Sequence, residues 1–277
     1  MLVNFHGVLD HAYKNGYAVG AFNCYNLETT QAVIEVASEK DKPVIIAFGA
    51  KYLKNMSLKT MAALTQSLAS EAEVPVCLHL DHCDDISVIK QAILAGFTSV
   101  MYDGSKLDFE ENLKNTQRVV ELSHKYGVTV EAELGSLGIG SHSHEGLSTD
   151  LELLTDPQSA KKFVERTNVD ALAVSVGTVH GLYQGDPDIK FDLLREINDL
   201  LKIPLVLHGG SGVPQEDILK CVSLGISKMN VNTEISTYTV QALRDLLSSE
   251  SPHLSVLSIK EKTFAKDIVE KYINFLS

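Results

Sequence analysis

Four cysteines, at positions 24, 77, 83 and 221, are all that this chain of 277 residues contains, and no two of them stand in a CxxC pair. Spacing so wide and irregular suggests neither a disulfide framework nor a cysteine zinc cluster, and a reduced setting is the default. Cationic residues are also scarce, with 24 Lys and Arg against 36 Asp and Glu, a formal net charge of -12. That balance argues against a nucleic-acid surface, which needs clustered Lys and Arg. A small anionic ligand stays open, because backbone amides hold phosphate without a net positive protein. No uninterrupted apolar stretch reaches the roughly 18 residues of a membrane span. The opening "MLVNFHGVLDHAYKNG" shows no basic segment leading into a long apolar run. These absences predict a soluble, cytoplasmic protein with no membrane partner.

What the chain does have is rhythm. Short runs rich in Val, Ile and Leu predict strands at "AVGAFNC" (18–24), "PVIIAFG" (43–49), "PVCLHLD" (75–81), "TSVMYDG" (98–104), "VTVEAELG" (128–135), "ALAVSVG" (171–177), "IPLVLHG" (203–209) and "SKMNVN" (227–232). Between them, segments such as "NLETTQAVIEVASEKD" and "FEENLKNTQRVVELSHKYG" place apolar residues at helical spacing, as helices covering a sheet do. Pro43, Pro75, Gly96, Gly127, Pro204 and Gly225 punctuate the returns. Eight such units in this length, with 44% hydrophobic residues to fill a core, predict a (β/α)8 barrel rather than an open doubly wound sheet. No linker-like or low-complexity tract interrupts residues 1–277, so one domain is expected. The stretch "GSLGIGSHSHEGLSTDLELLT" (135–155) breaks the rhythm and is too long and polar for an ordinary turn, which predicts a mobile active-site loop.

In such a barrel the site lies at the carboxyl ends of the strands. Those ends carry Asn23, Asp81 with His82, Asp103, Glu133, His180, His208, and Asn230 with Asn232. A lone histidine there is more often a hydrogen-bonded rim residue than a ligand. Three from three strand ends around one mouth match the catalytic zinc pattern of three protein ligands and one open position, and they nominate His82, His180 and His208. Asp81, beside His82, is the candidate for proton transfer. His79 shares the face of Asp81 two residues deeper and reads as a strand histidine beneath the site. After the seventh strand comes "HGGSG" (208–212), and at the eighth comes "NVNTE" (230–234). Loops in those two places frequently form a phosphate site.

Taken together, "LDHCDD", "VEAELG", "VGTVHGLY", "PLVLHGGSG" and "KMNVNTE" resemble the class II, zinc-dependent ketose-phosphate aldolases, in the tagatose- and fructose-bisphosphate branch, over about residues 1 to 245. The resemblance implies a (β/α)8 barrel that cleaves a ketose phosphate reversibly to dihydroxyacetone phosphate and an aldehyde. It implies zinc on His82, His180 and His208, with Asp81 exchanging the proton. Asp103 and Glu133 match acids that hold a second or displaced zinc in relatives. Asn23, Gly181, Gly209, Gly210, Ser211, Asn230, Val231, Asn232 and Thr233 match the substrate-binding positions. Backbone near Gly181, Gly209 and Ser211 matches a place for a monovalent cation. A homodimer or homotetramer is implied, with a phosphorylated sugar as the small-molecule partner.

The chain also departs from that pattern. Where relatives carry a loop glutamate for carbon protonation, this sequence reads "GIGSHSHE", making Glu145 the nearest acid, with His142 and His144 as alternatives. Gly49 stands where many bisphosphate enzymes have serine, and the C-terminal segment lacks the "DPR"-type arginine that grips the distal phosphate. Lysine reproduces a bidentate arginine poorly, so a ketose 1-phosphate or related sugar acid is the expected substrate. A metal-free phosphosugar isomerase or epimerase, or a non-catalytic sugar-phosphate binding protein, are the competing expectations.

Overall fold

The structure, a computed structural model, describes residues 1–143, 153–181 and 187–276. Eight parallel strands form its centre: β1 Val19–Asn23, β2 Val44–Gly49, β3 Val76–Cys83, β4 Ser99–Tyr102, β5 Thr129–Leu134, β6 Ala171–Val174, β7 Leu205–Leu207 and β8 Ile226–Val231. Each pairs with the next in sequence, and β8 returns to β1, with Lys228 level with Val19 and Val231 level with Phe22, so the sheet closes on itself. Helices connect the strands on the outside, which makes the fold the expected (β/α)8 barrel.

Local chemistry sets where the helices begin. Asn26 caps the helix Leu27–Lys40 in a reciprocal capping box with Thr29. Asp85, Asp108 and Asp156 each accept a backbone N-H of the first turn of the helix that follows. Alternation along the strands then divides the burial in two. Outward residues such as Ile46, Leu78, Leu80, Val100, Val130 and Leu207 join the core between sheet and helices. Inward residues Val19, Ala21, Ile45, Ala47, Cys77, Ala171, Ala173 and Val206 pack on Phe5, Val8, Leu9 and Ala12 of the helix Phe5–Asn15. That helix plugs the amino end of the barrel, and the small inward side chains make the room for it.

Above the plug the inward side chains turn polar, with His79, Asp81, Ser99, Glu131, Lys228 and Asn230 all buried. The interior is therefore greasy at one end and ionised at the other, and the ionised end is where the strands exit. Burial lifts the thiols of Cys24, Cys77 and Cys221 to about 12 and that of Cys83 to about 11, so all four stay protonated and unpaired. Among the described residues no helix is long and apolar enough to cross a membrane.

Candidate active site

The exit of β3 is irregular. Leu80 is level with Val100 of β4, but Cys83 is level with Tyr102, so β3 carries one extra residue there. His82 sits in that bulge with φ 43°, a left-handed conformation uncommon for a residue with a Cβ. Strain of this kind costs about 1–3 kcal/mol and persists where surrounding structure enforces it. The bulge takes His82 out of strict strand alternation and turns it to the barrel mouth. There its ring centroid lies 5.1 Å from that of His180 and 4.6 Å from that of His208, and the latter two are 6.1 Å apart. One ring nitrogen from each of the three falls within 4.8 Å of the others.

Carboxylates orient these rings. His208 Nε2 lies 2.8 Å from Glu131 Oε1, and because a carboxylate only accepts, Nε2 carries the proton. Burial, first, holds His208 below its ordinary imidazole range, which keeps it neutral. Its Nδ1 is buried and lacks a hydrogen-bond partner among the described residues. A neutral imidazole with one nitrogen held by a carboxylate and the other bare is the arrangement of a metal-ligating histidine, so the residues fit a zinc ion. His82 Nδ1 makes the corresponding contact with Asp103 Oδ2 at 2.8 Å. Burial would raise the Asp103 carboxyl, but His82 and the Ser105 donors outweigh it and hold it well below the usual range. Glu133 Oε2 stands 3.9 Å from His82 Nδ1 and 3.8 Å from His208 Nδ1. His82, Asp103 and Glu133 thus form a second group able to hold a cation.

Asp81 precedes His82 in β3 and is buried. Asn23 Nδ2 donates to its Oδ2 and Asn230 Nδ2 to its Oδ1, each at 3.0 Å, so amides from β1 and β8 fix the carboxylate plane.

Across the mouth, Asn23, Ser143, His180, Gly181, His208, Gly209, Ser211, Asn230, Asn232 and Thr233 line one pocket. Gly181 and Gly209 have φ of 103° and 69°. A Cβ on either would stand 2.6 Å from Ser141 O or 2.3 Å from Val179 O, so only glycine permits this backbone. The helix Thr233–Ser249 opens at the pocket with no side-chain cap from Asn232, and Ser211 Oγ accepts its Glu234 N-H. Unshared first-turn N-H groups and the positive end of the dipole make this a natural anion seat. Two predicted substrate positions fall outside it. Val231 alternates outward into the outer core, and Gly210 lies over Met229 Cε, where a Cβ would stand 2.1 Å away.

A wider cleft shares His180 with that pocket, includes His82, and runs over Asp103 and Glu133 past Asp84, Asp85 and Glu111, with Lys51 and Lys106 as its lysines. The chain's arginines, 118, 166, 195 and 244, are all exposed and line neither space. Glu145 and His144 lie outside the described residues, and His142, with φ 57°, is exposed.

Sequence reasoning passed over Glu131 and Lys228. Strand period was the available signal: each lies two residues before a polar strand-end residue, on the same face.

The geometry agrees with the comparisons. The family model described as "Fructose-bisphosphate aldolase class-II" matches residues 3–277. A probable fructose-bisphosphate aldolase of Bacillus subtilis is 43% identical over 252 residues, covering 90% of this chain and 87% of that protein. A sulfofructosephosphate aldolase of Alkalicoccus urumqiensis is 40% identical over 240 residues, 87% and 83% of the two chains. The crystal structure of the YdjI aldolase from Escherichia coli K12 superposes with a TM-score of 0.89 at 34% identity, covering 100% of this chain and 98% of that one.

Proposed function

Because this chain belongs to the class-II fructose-bisphosphate aldolase family, whose members are carbon-carbon lyases, we propose that it cleaves a ketose 1-phosphate reversibly to dihydroxyacetone phosphate and an aldehyde, using zinc held by His82, His180 and His208. The observation that carries this reading is the convergence of three imidazoles from three strand exits, two of them oriented by carboxylates, at a mouth whose Asn23 and Asn230 both bond Asp81. Zinc, when bound, supplies Lewis-acid stabilisation of the negative charge that develops on the substrate oxygens as the bond breaks.

The chain's own residues do the rest. Asp81, fixed by Asn23 and Asn230, takes the proton of the C4 hydroxyl, on the carbon that becomes the aldehyde, and returns it in condensation. Amides around Gly181, Gly209, Ser211 and Thr233, with the start of the helix Thr233–Ser249, hold the phosphate of the dihydroxyacetone half. Asn232 is set for that task by Tyr25 Oη, which donates to its Oδ1 at 2.5 Å. Glu145 gives a proton to the carbon left by the cleavage. His82, Asp103 and Glu133 serve a second or displaced zinc, and backbone near Gly181, Gly209 and Ser211 serves a monovalent cation.

Absence of arginine from the cleft, and five acids against two lysines along it, support an aldehyde half without phosphate. A reduced cytoplasmic setting suits four buried, protonated thiols. Exposed Tyr238, Val240, Leu247, Leu254, Val256 and Ile259 on the two C-terminal helices supply apolar area for a homodimer or homotetramer.

The deciding experiment is a panel of ketose phosphates varied in the configuration at C4 and in the distal group: hydroxyl, phosphate and, as in the name of one relative, sulfofructose phosphate. Dihydroxyacetone phosphate release that stops with chelator and returns with zinc is expected. A large kcat/KM preference for bisphosphates would remove the 1-phosphate assignment. Products of unchanged carbon number would remove the aldolase assignment.

A further inference from the structure

Lys228 is fully buried inside the barrel, in β8, where an ammonium group carries a heavy desolvation cost unless it is paired and hydrogen-bonded. Two contacts offset that cost. Nζ lies 2.8 Å from Glu131 Oε2 and donates to Asn230 Oδ1 at 2.7 Å. Glu131 uses its other oxygen on His208 Nε2, and Asn230 uses its other amide atom on Asp81 Oδ1. One amine therefore stands at the centre of a continuous run: His208, Glu131, Lys228, Asn230, Asp81.

We propose that Lys228 is a positioning residue that fixes, through Glu131 and Asn230, both the metal-binding nitrogen of His208 and the orientation of the Asp81 carboxylate. The inference rests on the zinc aldolase reading above.

Each arm has its own physical logic. An amide can present oxygen or nitrogen at nearly the same place, but an ammonium only donates and has no lone pair to accept an N-H, so it admits only the oxygen. With Oδ1 held by Lys228, Asn230 must turn Nδ2 toward Asp81. On the other arm, a buried Glu131 without its cation would protonate or rotate, and either change disturbs its bond to His208 Nε2. The proton on Nε2 is what leaves Nδ1 bare for metal, so the tautomer of a ligand depends on a residue that touches neither metal nor substrate. Alternation brings this about: Lys228 and Asn230 are two apart on β8 and share the inward face. No other lysine of the chain is fully buried among the described residues.

Three variants test it: Lys228→Met, Glu131→Gln, and the two together. Lys228→Met leaves a lone buried carboxylate and Glu131→Gln a lone buried ammonium, so both single variants are at risk of misfolding. The double variant contains neither charge, and Glu131→Gln differs from it in keeping the Lys228 ammonium with its bond to Asn230; where Glu131→Gln does not fold, wild type is the reference for kcat. Each is measured for thermal midpoint, for zinc affinity by competition with a fluorescent chelator, and for kcat and KM at saturating zinc. The double variant is expected to show kcat at least about tenfold below that of Glu131→Gln, with KM held within about threefold, as loss of an interaction made in the transition state requires. Zinc affinity in Lys228→Met, or in the double variant where the single does not fold, is expected to fall about tenfold or more from wild type. A lowered thermal midpoint with kcat and zinc affinity both within twofold of the reference enzymes would make Lys228 structural and overturn the proposal. Absence of aldol cleavage in the wild type would instead defeat the reading on which it rests.

Discussion

His82 and Asp103 leave neighbouring strands and meet with Nδ1 2.8 Å from Oδ2, a bond that holds the imidazole of a strained residue in one orientation. Asp103 is itself anchored by Ser105, whose N-H and Oγ both donate to Oδ1 at 3.2 and 2.6 Å. The strained turn, the ring and the anchoring carboxylate form a rigid unit at the lip of β3. Replacing Asp103 with Ala frees the ring while leaving its zinc-binding capacity in place. Zinc affinity, read by chelator competition, is expected to fall about tenfold, with kcat at saturating zinc changed far less. Unchanged affinity would show that the bulge alone orients His82.

Asp81→Asn separates proton transfer from metal binding. Asn23 and Asn230 each direct an N-H at a different oxygen of Asp81, and an asparagine offers them only one. One neighbour must turn, and Lys228 opposes the turn of Asn230. Loss of the acceptor predicts kcat reduced by about 10²–10⁴, the usual contribution of a positioned base. Zinc content, measured by elemental analysis, is expected to stay at the wild-type level. A variant that loses zinc along with turnover would place Asp81 among the groups that retain the metal.

The barrel was legible because its repeating signal is long: each strand is bounded by Gly or Pro returns and followed by a periodic helix. The segment 75–81, read as the third strand, in fact runs Val76–Cys83, since the bulge that continues it is set by pairing with β4 and has no local signature. The histidines of the candidate metal site stood out because three strand ends carried the same residue type. Glu131 and Lys228 did not stand out. A charge deep in an apolar strand is an anomaly until its counter-charge is found, and theirs lie on strands far apart in sequence. Val231 is matched by the family resemblance as part of the segment 230–233, and its side chain, by period-two alternation, faces the outer core.

Two glycines with nearly equal backbone angles provide a controlled test of the phosphate loop. Gly209 has φ 69° and Gly16 has φ 70°. A Cβ at Gly16 meets nothing within 4 Å, whereas one at Gly209 stands 2.3 Å from Val179 O and 2.6 Å from Val179 C. Gly16→Ala is expected to cost only the left-handed penalty, about 1–2 kcal/mol, with KM unchanged. Gly209→Ala is expected to lower the thermal midpoint further and to raise KM for the phosphorylated substrate, because the carbonyl it strikes belongs to the backbone beside His180. Equal effects of the two substitutions on KM would remove Gly209 from the binding site.

His79 makes stability depend on pH in a definite direction. It is buried, stacked on Phe5 at 4.9 Å and bonded through Nδ1 to Ser99 Oγ at 2.9 Å. Burial, and after it the charge of Lys228, lowers its pKa from 6.5 to about 3. The folded protein therefore keeps this imidazole neutral where the unfolded chain protonates it. More protons bound in the unfolded state means that stability rises with pH, so the contribution is complete above 6.5 and is lost as the pH falls toward 3. The depressed carboxyls of Glu131 and Asp103 act only below the ordinary carboxylate range, near 4.5 and 3.8. The interval from pH 6.5 to 4.5 is consequently free of them. His208, whose pKa burial also lowers, adds a slope of the same sign, but it is present in both proteins being compared. In excess chelator, urea unfolding of His79→Gln is expected to give a free energy that climbs with pH less steeply than wild type, by up to about 1.4 kcal/mol per pH unit across that interval. Above pH 6.5 the two curves should run parallel. Equal slopes below it would mean that His79 is protonated inside the folded barrel, with Glu131, 3.6 Å from its Nε2, as the counter-charge.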